Sequence, residues 1–332
     1  MRKIPATIVT GFLGAGKTSL LRHLIAHAEG RRIALLINEF GALGIDRELV
    51  LGCGIESCRA EDVVELANGC ICCTVAEDFL PALEKLLDRP TPPDHILIET
   101  SGLALPKPLV QAFNWPEVKA RITVDGVVAV IDAPAVAAGR FAATTPELVH
   151  DNPFDEVFGD QLMCADLVLL NKADLADEPT LASVESEIAS RLRPAAKHLR
   201  TRHGEVAPSL LLGLSAAAED DLASRPSFHD AAGEHDHDDF DSFVVALPTL
   251  ADATPLLARL PDVIAAHDIL RVKGFLDIAG KPFRQVVQAV GPRVAQYFDR
   301  PWRGDETRQS RLVVIGRKGV DRAAIAAALG KI

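Results

Sequence analysis

No uncharged apolar run in the 332 residues approaches the roughly 18 that a membrane-spanning helix needs. No positively charged and then apolar leader precedes the first apolar stretch, so neither a membrane span nor export is expected and the chain is read as cytoplasmic. Positive charge is also in short supply: 35 Lys and Arg stand against 46 Asp and Glu, a formal net charge of −11. That balance argues against wrapping of nucleic acid and mildly favours attraction of cations. The 48% hydrophobic content suffices for one large core or two moderate ones.

Against these absences stands a phosphate-binding signature at the start of the chain. Residues 4–10 are apolar and β-rich, then comes Gly11-Phe12-Leu13-Gly14-Ala15-Gly16-Lys17-Thr18, then Ser19-Leu20-Leu21-Arg22-His23-Leu24 at helical spacing. Strand, glycine loop and helix in that order make a P-loop. Gly11, Gly14, Ala15 and Gly16 free backbone N–H groups for the phosphates, and the helix N-terminus around Ser19 adds its dipole. Lys17 reaches the β/γ oxygens as a catalytic cation, and the Thr18 hydroxyl is placed for Mg²⁺.

Two further strand ends carry matching chemistry. Residues 166–170 read as a buried strand ending in Asn171-Lys172-Ala173-Asp174, an NKxD pattern. A carboxylate at Asp174 accepts from the N1–H and N2–H₂ edge of guanine, which adenine lacks, so the pattern favours GTP over ATP. The structural alternative is a helix N-cap by Asn or Asp. Residues 95–99 form another strand, followed by Thr100-Ser101-Gly102. Glu99 stands where P-loop proteins place the second Mg²⁺ carboxylate, holding the ion through water or orienting the attacking water, and the Gly102 N–H can bond a γ-phosphate. An exposed strand-end glutamate is the plain alternative.

The chain has six cysteines, and three of them fall in Cys70-Ile71-Cys72-Cys73. Thiolate sulfur is a soft ligand suited to Zn²⁺, Co²⁺ or Cu⁺. A structural zinc site normally shows two CxxC-type pairs or a Cys/His quartet, and no second such pair is present. A disulfide is not expected in a reducing compartment, and buried inert thiols are the remaining alternative. Transient metal binding fits the triad better than these. Further ligands are sought in the same loop-rich stretch, which holds Cys53, Cys58 and Glu39. Glu39 follows directly on a strand at 33–37, and Asp46 lies where a first switch loop is expected. Asp46, Glu39 and Glu99 are the candidates for orienting the hydrolytic water.

GFLGAGKT, INEFG, GCICC, ETSGLALP and NKAD in this order resemble the CobW family of metal-chaperone GTPases, relatives of the nickel-inserting hydrogenase and urease GTPases. The resemblance spans nearly the whole chain. It implies a Mg²⁺·GTP-dependent protein with slow intrinsic turnover that binds Co²⁺ at the cysteine triad. It further implies delivery toward a metal acceptor such as a cobaltochelatase for cobalamin synthesis, and GTP-dependent pairing of two copies. Zinc delivery is the competing cargo, because zinc-handling relatives carry the same triad. Two rivals from other classes are a non-catalytic metal sensor or store and a small-molecule P-loop kinase.

Alternating strands and helices predict a doubly covered α/β sheet over residues 1–223. Expected helices fall at 77–87, 106–113, 153–164 and 178–192, with another strand at 124–132. Residues 224–241 read as an acidic, His-rich linker that is either a solvated spacer or a weak metal collector. Residues 242–332 predict a smaller α+β domain with strands at 242–247, 269–278, 282–290 and 311–315 and helices at 254–267 and 321–329. Arg271, Lys273 and Trp302 are its weak surface-contact candidates, each more often structural or solvated.

Overall fold

The structure is a computed structural model that describes residues 3–38, 60–66, 79–139, 153–227, 240–304 and 306–330. The chain divides into two units, the described residues up to 227 forming one and those from 240 onward the other.

The first unit runs β1 (Ile4–Thr10), α1 (Lys17–Ala26), β2 (Ile33–Asn38), β3 (Val63–Leu66), α2 (Leu80–Leu87), β4 (His95–Glu99), α3 (Pro106–Ala112), α4 (Pro116–Lys119), β5 (Ile122–Asp132), α5 (Ala133–Ala137), α6 (Pro153–Cys164), β6 (Leu167–Asn171), α7 (Glu178–Arg191) and β7 (Lys197–Arg200). The seven strands form one sheet in the order β3-β2-β4-β1-β5-β6-β7, and every pairing is parallel. Strands β2, β4 and β6 are buried along their whole length, as strands covered by helices on both faces must be. Ala6, Ile8, Ala34, Leu36, Ile96 and Ile98 share one core with Leu83, Leu86 and Phe113 from the helices. Each large aliphatic side chain so enclosed contributes about 1.5–3 kcal/mol. A second core joins Ala129 and Ile131 to Phe158, Leu162, Val184 and Ile188.

Beyond β7 the chain turns back onto the sheet. Asp125 of β5 accepts from the backbone N–H groups of Gly213, Leu214 and Ser215 at 2.6, 3.1 and 2.9 Å. Glu219 accepts from Thr123 Oγ1 at 2.7 Å and from the Val124 N–H at 2.9 Å. Arg225, only 1% exposed, donates to Asp166 Oδ1 at 2.7 Å and to the Cys164 carbonyl. The sequence boundary at 223 falls just short of that arginine.

The second unit runs β8 (Phe240–Leu247), α8 (Thr254–Ala266), β9 (Ile269–Leu276), β10 (Phe283–Val290), β11 (Arg293–Pro301), β12 (Ser310–Arg317) and α9 (Arg322–Gly330). Its sheet, in the order β11-β10-β9-β12-β8, is antiparallel throughout. Val245, Val272, Val287, Leu312 and Val314 pack with Leu256, Leu260, Ile325 and Leu329 of the two helices.

The helix expected at 77–87 is described over Leu80–Leu87, with residues 77 and 78 outside the described segments. Two departures from expectation have physical causes. Strands β3, β7 and β11 have no counterpart in the sequence reading; β7 reads Lys-His-Leu-Arg and lies at a sheet edge, where no apolar run is required. Arg271 and Lys273 take the structural alternative: they are 7% and 1% exposed on β9, the middle strand of its sheet. Trp302 is half-buried. Among the described residues no helix is long and apolar enough to cross a membrane.

Candidate nucleotide site

The nucleotide-site candidates within the described segments of the first unit lie at one end of its sheet, beyond the carboxyl ends of β1, β4 and β6. Parallel α/β sheets place ligands at that end, because strand ends there feed directly into loops and helix N-termini.

The phosphate loop joins β1 to α1. Its backbone takes the positive φ that favours glycine at three points: Gly11 has φ 133°, Gly14 has φ 74° and Gly16 has φ 110°. A side chain at Gly11 would collide with the Val130 carbonyl, and one at Gly16 with the Asn171 amide. Gly16 is also the N-cap residue of α1, so no side chain caps the helix, and its first turn carries no acidic residue. Uncapped N–H groups and an uncompensated dipole end suit a phosphate. Lys17, 5% exposed, folds its ammonium over the loop and donates to Gly11 O at 2.7 Å and Phe12 O at 3.4 Å. Thr18 is half-buried and Ser19 exposed at the start of α1, while Ala15 and Gly14 lie within the loop.

Glu99 closes β4 and is 4% exposed, which removes the plain alternative of a solvated strand-end glutamate. The Thr18 hydroxyl donates to its Oε1 at 3.3 Å. Two hard oxygens, one hydroxyl and one carboxylate, therefore adjoin the exit of the phosphate loop. Thr100 N–H donates to Val9 O at 3.0 Å, which ties the segment running to Gly102 onto β1.

Asn171, at the end of β6, is 1% exposed. Its Nδ2 donates to Ala15 O at 2.8 Å, and its Oδ1 accepts from Thr201 Oγ1 at 3.2 Å and Gly204 N at 3.1 Å. Lys172 has φ 59° and its ammonium reaches back to Gly14 O at 2.6 Å and Asp132 Oδ2 at 2.8 Å. Asp132 spends its other oxygen on the N–H of Ala135, capping α5. Asp174 follows in a short 3₁₀ turn, Ala173–Leu175, with its carboxylate 31% exposed and 4.0 Å from His203 Nε2. It caps no helix of its own; the N-cap of α7 is Asp177, which accepts from Thr180 N at 3.0 Å.

Sequence reasoning missed the supports of this site. Asp132 was read only as the last residue of a strand, and the loop Thr201–Gly204 after β7 carries no recognisable motif. Their one sequence signal is position: Asp132 ends a strand and the loop follows one, at the same end of the sheet. Glu39, Asp46, Cys53, Cys58, Cys70, Cys72 and Cys73 lie outside the described residues, as does the His-rich run from residue 228 to 239. Among the described residues no three His, Cys, Asp or Glu side chains gather as a metal site. Cys164 is buried and its thiol is pushed up to about 12 by that burial, so it offers no thiolate.

A cavity of about 770 Å³ opens at the opposite end of the strands, lined by Lys3, Arg31, His95, Asp125 and Ser215. It shares no residue with the phosphate loop. His95 there is held by Thr7 Oγ1 at 2.8 Å, and burial pushes its imidazole down to about 4.

Comparison with known proteins places this geometry in a wider group. Residues 5–200 match the model described as CobW/HypB/UreG, nucleotide-binding domain, and residues 240–332 match the Cobalamin synthesis protein cobW C-terminal domain. A Sinorhizobium protein named zinc chaperone CobW is 53% identical over 341 residues, covering 98% of this chain and 96% of its own length. A Pseudomonas aeruginosa protein of the same name is 54% identical, covering 98% of this chain and 90% of its own. The Escherichia coli zinc chaperone YjiA is 34% identical over 95% of each chain.

Proposed function

Because the chain belongs to the CobW/HypB/UreG family and is a P-loop GTPase, we propose that it is a GTP-dependent metallochaperone whose cargo is Zn²⁺. The convergence of Lys17, Glu99 and Asp174 at one end of the sheet supports nucleotide control. Identity of 53% and 54% to proteins named zinc chaperones, along 98% of this chain in each case, supports the cargo.

The cargo ligands proposed from sequence are the thiolates of Cys70, Cys72 and Cys73, with Glu39 as a further donor. A thiolate site of this kind prefers Zn²⁺ to Co²⁺ under the Irving–Williams order. One observation favours a second reading, Co²⁺ delivery toward a cobaltochelatase: the C-terminal unit matches a domain named for cobalamin synthesis.

The hydroxyl of Thr18 and the carboxylate of Glu99 are hard donors and fit Mg²⁺, which Thr18 and Glu99 would hold and which would screen phosphate charge. Lys17 binds the β/γ oxygens, Asp174 selects guanine, and Glu99, Asp46 or Glu39 orients the attacking water for hydrolysis to GDP and phosphate. GTP tightens the metal at Cys70, Cys72 and Cys73, and loss of the γ-phosphate weakens that hold and lets the metal pass to an acceptor protein. Pairing of two copies across the nucleotide belongs to the same proposal. Linkage makes the coupling reciprocal: a thousandfold gain in metal affinity with GTP, roughly 4 kcal/mol, requires the same gain in GTP affinity with metal.

Competitive titration of Zn²⁺, Co²⁺ and Ni²⁺ with Mg²⁺·GTP or Mg²⁺·GDP tests this, using the wild type, Cys72→Ser and Cys73→Ser. Zinc is expected to bind most tightly, with GTP, and to lose affinity in both variants. Equal affinity in the two nucleotide states would sink the switch, full affinity in both serine variants would sink the site, and selective retention and transfer of Co²⁺ would favour the second reading.

A further inference from the structure

Helix α6 carries a buried polar residue that none of the motifs explains. Gln161 is 1% exposed, and its Nε2 donates to Gly102 O at 3.2 Å and to Ala104 O at 3.4 Å. Both partners are carbonyls and accept only, so the orientation of the amide is forced by them. Its Oε1 is then buried and, among the described residues, has no hydrogen-bond partner. As plain core filling this is a poor choice, since leucine or methionine would occupy the volume without a stranded acceptor.

The contacts around it show what the amide secures. Gly102 is pressed from the other side by the phosphate loop: a Cβ at 102 would lie 2.8 Å from Leu13 N and 3.0 Å from Leu13 Cα. Phe154 stands seven residues before Gln161, two helical turns away and so on the same face of α6. Its ring meets that of Phe12 edge to face, with centroids 5.8 Å apart. One helix face thus grips the phosphate loop near its start and the 102–104 backbone near its end.

We infer that Gln161 is a positioning residue for γ-phosphate recognition: it holds the 102–104 backbone against the phosphate loop so that the Gly102 N–H meets the γ-phosphate, and thereby sets the preference for GTP over GDP. This rests on the reading of Glu99–Gly102 as the γ-phosphate segment. Gln161 touches no nucleotide and acts through Gly102, so GDP, which lacks the γ-phosphate, is insensitive to it. Phe154 acts through the phosphate loop, which both nucleotides use, and does not discriminate between them.

The test compares full-length wild type, Gln161→Met, Gln161→Glu, Phe154→Leu and Gly102→Ala. Dissociation constants are measured for GDP and for a non-hydrolysable GTP analogue, with kcat and KM for GTP and thermal melting as the check on folding. Gln161→Met keeps the volume and removes both donors; it is expected to weaken the analogue about tenfold, leave GDP within about twofold and lower kcat. Gln161→Glu keeps the shape but has at most one donor, and moves the same ratio in the same direction. Phe154→Leu weakens both nucleotides alike. If the folded Gln161 variants weaken GDP and the analogue equally, or change neither, the positioning role is overturned. Gly102→Ala also presses on Leu13 of the phosphate loop and so weakens both nucleotides, the analogue more. A shifted ratio in Gly102→Ala alone removes only the role of Gln161, whereas an analogue affinity unchanged in folded Gly102→Ala removes the γ-phosphate segment itself.

Discussion

Asn171 Nδ2 donates to the carbonyl oxygen of Ala15 at 2.8 Å, which joins the guanine-side strand directly to the phosphate loop. The same side chain receives Thr201 Oγ1 and Gly204 N on its oxygen, so one buried amide fixes three segments at once. Asn171→Ala leaves a carbonyl, a hydroxyl and an N–H without their partner. The expected cost is about 1–3 kcal/mol of stability, because stranded buried polar groups lose water without gaining a bond. GTP and GDP affinity are expected to fall together, which denaturant melts and paired nucleotide titrations would check.

Asp174 is expected to govern base choice without governing the fold. Its carboxylate is 31% exposed and caps no helix. Asp174→Ala should weaken GTP roughly 100-fold or more relative to wild type, since the guanine donors then face no acceptor. Its melting temperature should stay close to that of wild type. A variant that still rejects ATP as strongly as wild type would move guanine selection elsewhere.

His95 makes stability depend on acidity. Burial holds its imidazole down at about 4, with Arg31 acting in the same sense and Asp125 opposing, against 6.5 for the ordinary group. The folded value lies below the unfolded one, so the unfolded chain takes up the proton more readily. Stability from this group is therefore complete above about pH 6.5 and drains away as pH falls toward 4. Between pH 7 and pH 5 the loss is roughly 2 kcal/mol. Chemical denaturation at the two pH values should show that difference in wild type and a smaller one in His95→Gln.

Cys164 should be chemically silent. Its thiol, raised to about 12 by burial, supplies no thiolate near neutrality. Alkylation of the native protein with iodoacetamide at pH 8 is expected to leave Cys164 unmodified until the chain is unfolded. Cys164→Ala should bind the same number of metal ions as wild type; loss of an equivalent would bring Cys164 into the cargo site.

The parts of the fold that were legible in sequence are those where chemistry is local. β4 and β6 are enclosed on both faces and so read as unbroken apolar runs. The phosphate loop and NKxD are legible because one bound nucleotide imposes several residue types within a few positions. Strand β11 was missed because it lies at a sheet edge with exposed Gln296, Tyr297 and Phe298, where no burial pattern is imposed. Asp132 was missed because its partner Lys172 is 40 residues away, and Gln161 because Gly102 is 59 residues away. Only the folded sheet makes such pairs neighbours.

The return of residues 213–225 onto β5 and β6 decides where this protein can be cut. The match to the nucleotide-binding domain stops at residue 200. A gene fragment ending there would strip Asp125 of all three of its amide donors and leave Asp166 without Arg225. Asp166 keeps Arg193, so the larger loss is at Asp125: each hydrogen bond to a charged group costs about 1.5–3 kcal/mol, and three together are comparable to the whole margin of a marginal domain. A soluble, excised nucleotide-binding unit needs its stop codon after residue 227, however convincing the motif map looks without the last stretch.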